Sequence, residues 1–160
     1  MWKRVEVVAT IEHPVELVFD YLADPLKWHE FAPAVVLRRQ IDEGQSRIGT
    51  RWLACDRVGP FRLHFVDELA GHEPNRRVAW DSSSPWNSRV EYLCEQTGTG
   101  TLVRASYEGD VDGWLRMLSW APASMIGFFL ARDFKRLQSR LDAIARAAVT
   151  GQERPSEVEA

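Results

Sequence analysis

The stretch from Trp114 to Ala148 most constrains what this chain can fold into. Ile126, Leu130, Phe134, Leu137, Leu141 and Ile144 step by three and four, which sets them along one face of a helix. Lys135, Arg136, Arg140 and Arg146 fall off that stripe and suit water. The first half has another character. Trp114, Leu115, Met117, Leu118, Trp120, Met125, Phe128 and Phe129 spread apolar surface around most of the circumference. A helix apolar on all sides is covered on more than one side, or it faces a cavity that holds something apolar.

The elements upstream read as the cover. Val5, Val7, Ala9 and Ile11 alternate with Arg4, Glu6, Thr10 and Glu12, with only Val8 breaking the pattern, the signature of a half-buried strand. His13-Pro14 ends it, and Pro14 suits the first position of a short helix carrying Val15, Val18, Phe19 and Leu22. Asp24-Pro25 caps and opens a second short helix with Leu26, Trp28 and Phe31, which Pro33 stops. An antiparallel meander follows, with strands expected at about 34–42, 50–58, 61–71, 76–83, 88–95 and 101–108. Gly59-Pro60, Glu73-Pro74-Asn75, Ser84-Pro85 and Gly98-Thr99-Gly100 mark turns between them. One strand, two small helices, six strands and a long helix make an α+β layer, a curved seven-stranded antiparallel sheet around one helix. Residues 1–148 are expected to form one domain, and 149–160 a flexible tail.

Composition removes several function classes. The chain has 160 residues, 45% apolar and 27% charged, a net charge of -3 and a pI near 5.8. That balance gives no basic footprint for nucleic acid. Cys55 and Cys94 do not make a disulfide framework, and no basic segment followed by an apolar run opens the chain, so a cytoplasmic protein with reduced thiols is expected. The segment from Trp114 to Ala131 is interrupted by Arg116, Ser119, Pro122 and Ser124, whereas a membrane span needs about 20 mainly apolar residues. No stable membrane insertion is expected. His13, His29, His64 and His72 pair at no metal-ligand spacing and read as surface or structural, so neither metal nor cofactor is expected. No G-x-S-x-G elbow, phosphate loop or dinucleotide fingerprint occurs.

The order of motifs resembles a known group. Pro14, Val18-Phe19, Leu22, Asp24-Pro25 and the Trp28…Phe31…Pro33 run open it. Gly49-Thr50-Arg51-Trp52, Glu73-Pro74 with Arg76-Arg77-Val78-Ala79-Trp80, Gly100-Thr101-Leu102-Val103 and Phe134-Lys135-Arg136-Leu137 continue it. Together they resemble the polyketide cyclase/dehydrase and lipid transport group of the START-like (SRPBCC) superfamily, across about residues 3 to 146. Phe31 stands where relatives often carry a second Trp. The resemblance implies a helix-grip fold with a deep cavity between sheet and long helix, filled by a lipid, polyketide or other apolar molecule. It carries over no catalytic residue, because the superfamily has no invariant one.

Strand alternation then nominates the lining. Trp28, Phe31, Arg39, Trp52, Phe65, Trp80, Tyr92, Tyr107, Met125 and Phe128 are the candidate ligand-binding residues. Arg39 shares phase with Val35, Leu37 and Ile41, so it is either a cavity anchor for an acidic or carbonyl end, or displaced to the rim by a bulge. Asp56 and Asp67 fall in phase with apolar neighbours, yet they lie near turns and read as solvated. Tyr92 and Tyr107 could donate to an enolate oxygen, or sit in the core with locally satisfied hydroxyls. Three readings stand in order: a carrier or sensor of an apolar ligand, a cyclase, aromatase or dehydratase in the same cavity, and an interaction module with an outer apolar patch at Trp86 or Trp114. The partner is a hydrophobic small molecule, and the protein is a monomer or homodimer.

Overall fold

The computed structural model describes residues 2–110, 113–118 and 122–152. Seven strands form one antiparallel sheet: β1 (Lys3–Ile11), β2 (Val35–Gln40), β3 (Arg51–Val58), β4 (Phe61–Glu73), β5 (Arg77–Ser82), β6 (Ser88–Thr97) and β7 (Gly100–Gly109). Their spatial order is β1-β7-β6-β5-β4-β3-β2, so β2 to β7 run as a meander and β1 closes against β7. Helix α1 (Val15–Ala23) and a 3-10 helix (Pro25–Glu30) link the two edge strands. Helix α2 (Ala123–Gln152) lies in the concavity, and a second 3-10 turn (Gly113–Leu118) precedes it. This is the helix-grip architecture that the order of elements implied.

Two expected helices differ in detail. Pro14 stands just outside α1 as its cap, with extended ψ, instead of at the first helical position. The second helix is 3-10, with the Asp24 carboxylate accepting from the Leu26 amide at 3.0 Å. The long helix does not run unbroken from Trp114. It restarts after Pro122, whose fixed φ and missing N–H suit a helix start, and it continues to Gln152, past the expected end at Ala148. Trp120, the side chains of Trp114, Leu115 and Leu118, and tail residues 153–160 lie outside the described residues.

The core gathers at one end of the grip. Leu137 and Leu141 are fully buried with Phe134 against Val18, Leu22, Val78 and Val103. Each such leucine contributes about 1.5–3 kcal/mol by leaving water. Polar ties fix the same half of α2. His13 Nε2 lies 2.8 Å from Asp142, the Glu12 amide donates to Gln138 at 2.7 Å, and Arg140 donates to Glu30 at 2.7 Å. Gly127 lets the other half approach β1, because a Cβ there would sit 3.3 Å from Val5. The N-terminal half of α2 is otherwise half-exposed, so the grip is tight at one end and open at the other.

One local irregularity decides what faces inward. Between β2 and β3 the register pairs Val35 with Asp56 but Leu37 with Cys55, so Val36 is an extra residue. Strand parity flips across such a bulge. Leu37, Arg39 and Ile41 therefore point outward and are exposed, while Arg38 turns into the concavity.

Candidate functional site

Between the sheet and the N-terminal half of α2 lies a cavity of about 620 Å³. Its walls are aromatic: Trp28, Phe31, Phe65, Trp80, Trp86, Tyr92, Tyr107 and Phe129 all line it. The rings interlock, Trp28 edge-on to Trp80 with centroids 5.0 Å apart and Phe65 edge-on to Trp86 at 6.4 Å. Val58, Gly59, Asp110 and Met125 stand among the remaining lining residues.

A charged cluster forms the floor. The Arg38 side chain is only 5% exposed. It crosses the sheet above Ala54, which pairs with Arg38 on one side and Phe65 on the other and is itself fully buried. The small Ala54 side chain leaves the guanidinium room to lie over the rings of Phe65 and Trp28, at 5.4 and 5.2 Å. Arg38 Nη1 donates to Asp56 Oδ1 at 2.8 Å and to the Leu37 carbonyl at 2.9 Å. Its Nε lies 2.9 Å from Asp67 Oδ2, but the N–H is not aimed at that oxygen, so this contact is ionic without an aligned hydrogen bond. Ser82 Oγ donates to the other Asp67 oxygen at 2.6 Å.

Burial governs the protonation of this cluster. Desolvation lifts Asp67 from 3.8 to about 6, against the opposing pull of Arg38 and Ser82, and the neighbouring Asp56 charge adds to the rise. Asp56 is raised for the same first reason and held down by Arg38. Asp133 lines the cavity from α2 and is raised by burial, although Arg132 sits 3.3 Å away. Burial, then the charges of Asp133 and Asp67, push the Tyr92 hydroxyl upward, so it stays a neutral proton donor. Tyr107 is raised by burial and bonds Ser88. The site can therefore hold a proton on a carboxyl beside a fixed guanidinium, within an otherwise apolar enclosure.

Seven of the ten candidate residues line the cavity: Trp28, Phe31, Phe65, Trp80, Tyr92, Tyr107 and Met125. Three do not. Arg39 points outward because of the β2 bulge, and Arg38 takes the inward place. Trp52 is 4% exposed and belongs to the solid core beside Leu69. Phe128 is 64% exposed and packs edge-on against Phe129, which lines the cavity in its stead. Asp56 and Asp67 are inside, not solvated, because the inward Arg38 pairs with both. Trp86 is a wall residue and not part of an outer patch.

Sequence reasoning also missed Arg38, Asp133 and Phe129. The Arg38-Arg39 doublet carried a usable signal, since adjacent strand residues face opposite ways and one arginine had to point in. Asp133 follows Ile126 by seven and Leu130 by three, on the buried stripe.

A second concavity of about 320 Å³ lies at the surface among His29, Pro33, Arg136 and Arg140 and has no comparable enclosure. Among the described residues no group of three His, Cys, Asp or Glu is placed to hold a metal ion. No helix among them is long and apolar enough to cross a membrane.

Solved structures share this fold at low identity. Protein TTHA0849 from Thermus thermophilus is 17% identical, with a TM-score of 0.71, covering 89% of this chain and 99% of that one. Protein MLL2253 from Mesorhizobium loti is 20% identical, with a TM-score of 0.65 and coverage of 88% and 98%. The ginseng major latex-like protein 151 from Panax ginseng is 11% identical, with a TM-score of 0.67 and coverage of 87% and 97%. No curated protein matches the sequence at a significant level. The sequence model of the polyketide cyclase / dehydrase and lipid transport family matches residues 3–149, nearly the whole chain, and the protein belongs to that family.

Proposed function

We propose that this protein binds a small apolar molecule in the cavity between the sheet and α2, as a carrier or sensor. One observation carries the reading. The fold buries a continuous core at one end, yet keeps about 620 Å³ between aromatic walls at the other. Cavities of roughly 300–1,000 Å³ with apolar walls and a few polar groups suit small ligands. Closing this space with side chains would have gained dispersion contacts, so an unfilled cavity costs stability that a ligand can return. Native mass spectrometry of the purified protein, followed by denaturation and extraction, tests it. A discrete co-purifying apolar mass supports the reading. No such mass, together with no melting shift across fatty alcohols, fatty acids, sterols and aromatic polyketides, overturns it.

The charged floor favours a second reading, catalysis in the same cavity. A guanidinium and the neutral Tyr92 can polarise a carbonyl, and a carboxyl with a pKa of about 6 can move a proton in an aldol closure or a dehydration. Turnover of a poly-β-keto substrate that Asp67→Asn abolishes while binding persists would favour it.

A further inference from the structure

We propose that the bound molecule carries a carbonyl-type oxygen, as in a ketone or a carboxylate, and that the indole N–H groups of Trp80 and Trp86 donate to it. This rests on the cavity being a ligand site and adds which side chains read the ligand's polar group.

The charges of the lining select nothing by themselves. Four basic and four acidic side chains stand around the cavity, so neither sign prevails. The unpartnered polar atoms are not balanced in that way. Among the described residues, five cavity-lining side chains hold a buried polar atom without a hydrogen-bond partner: Arg38, Trp80, Trp86 and Arg132 with a donor nitrogen, and Asp67 with an acceptor oxygen. Arg38 Nε and Asp67 Oδ2 lie 2.9 Å apart and offset each other's charge. What remains is donors alone: Trp80 Nε1, Trp86 Nε1 and Arg132 Nε. An indole N–H and a guanidinium N–H can only donate.

The two indoles belong to one arrangement. The Arg38 guanidinium lies over the rings of Trp28 and Phe65, Trp80 meets Trp28 edge-on, and Trp86 meets Phe65 edge-on. Trp80 and Trp86 therefore stand at the two ends of a series of contacts centred on the charged floor. Trp28 supplies a contrast. It also lines the cavity, but its Nε1 already donates to the Leu22 carbonyl at 3.3 Å. Trp52 supplies another: its Nε1 is unpartnered too, but it lies in the solid core, out of a ligand's reach. Ring faces are weak acceptors, and a buried donor left unpaired costs its full desolvation. An acceptor oxygen entering the cavity removes that cost, whereas a hydrocarbon leaves it in place and an ammonium brings more donors.

Matched probes test the inference. Fluorenone and fluorene share one skeleton; decan-2-one, decanoate and decane share another. Affinities come from calorimetry, and the indole N–H resonances from heteronuclear NMR. For a skeleton that binds, the difference between the fluorenone and fluorene spectra, or between the carbonyl-bearing chains and decane, should be a downfield shift confined to Trp80 and Trp86. Trp80→Phe and Trp86→Phe, each checked for native circular dichroism, should each lower the ratio of carbonyl to hydrocarbon affinity at least about threefold. Trp28→Phe should weaken both members of a pair alike and keep the ratio. If one variant does not fold, the other variant and the parent spectra carry the test. A gain of decan-2-one or of decanoate over decane that depends on the indoles supports the inference, and the tighter of the two identifies the source of the carbonyl. A ratio unchanged in both variants, or lowered as much by Trp28→Phe, would overturn the role given to the indoles and leave the ligand site standing. Failure of all five probes to bind would overturn the ligand site and this inference together.

Discussion

The Arg38 guanidinium bridges two carboxylates from different strands, with Nη1 2.8 Å from Asp56 Oδ1 on β3 and Nε 2.9 Å from Asp67 Oδ2 on β4. Arg38 itself comes from β2, so one side chain ties three strands beneath the cavity. Breaking a buried pair by removing one partner costs about 3–5 kcal/mol, because the remaining charge is stranded. Arg38→Met should lower unfolding free energy toward that range. Arg39→Met, one residue away on the outer face, should stay within about 0.5 kcal/mol. Urea denaturation of both variants checks this, and equal losses would show that the inward arginine is misassigned.

Ala54 is the step over which the guanidinium passes. Ala54→Leu would fill that passage, displace Arg38 and overpack the sheet face, at a cost of about 1–3 kcal/mol. Ala54→Gly should keep the passage and lose less than Ala54→Leu. Thermal unfolding of the pair distinguishes crowding from mere loss of strand propensity.

Stability should depend on pH through Asp67. Its pKa is raised to about 6 from 3.8, so between about pH 4 and pH 6 the folded chain keeps a proton that the unfolded chain releases. The contribution is fully present below about pH 4 and is lost as pH rises through 6, by roughly 3 kcal/mol at full ionisation. Asp67→Asn has no such loss. The stability of the parent protein relative to Asp67→Asn should therefore fall between about pH 4 and pH 7.5. Glu30, Asp42 and Asp142 have lowered pKa values and titrate in the opposite sense, but they are common to both proteins and cancel in the difference. A flat difference across that range would contradict the burial argument.

Adjacent phenylalanines on α2 should separate cleanly. Phe129 lines the cavity and Phe128 faces out. Phe129→Ala should weaken an apolar ligand by roughly tenfold, near the 1.4 kcal/mol expected for part of a ring's burial. Phe128→Ala should change affinity less than about twofold. Isothermal titration on both variants checks the assignment.

Much of the fold was legible because its signals are periodic. Val5, Val7, Ala9 and Ile11 alternate, Leu130, Phe134, Leu137 and Leu141 repeat at helical spacing, and Gly98 takes φ 60 in the hairpin turn where the glycines predicted it. The site was less legible because it depends on a single extra residue. The Val36 bulge leaves no mark in composition, yet it moves Arg39 out and Arg38 in. Asp56 and Asp67 were read as solvated because isolated carboxylates are; only the inward arginine offsets the cost of their burial. Phe128 and Phe129 cannot be told apart by periodicity on a helix half that is apolar all round. Trp52 shares phase with cavity residues but is packed into the solid core with Leu69.

The most direct test of the central claim, that the space between sheet and α2 is a ligand site, is photolabelling with a long-chain alkyl diazirine, mapped by peptide mass spectrometry. Adducts are expected on Trp80, Tyr92 and Phe129, and an excess of unlabelled apolar competitor should suppress them. Adducts confined to outer residues such as Phe128, Leu37 and Ile41, and insensitive to competitor, would contradict it.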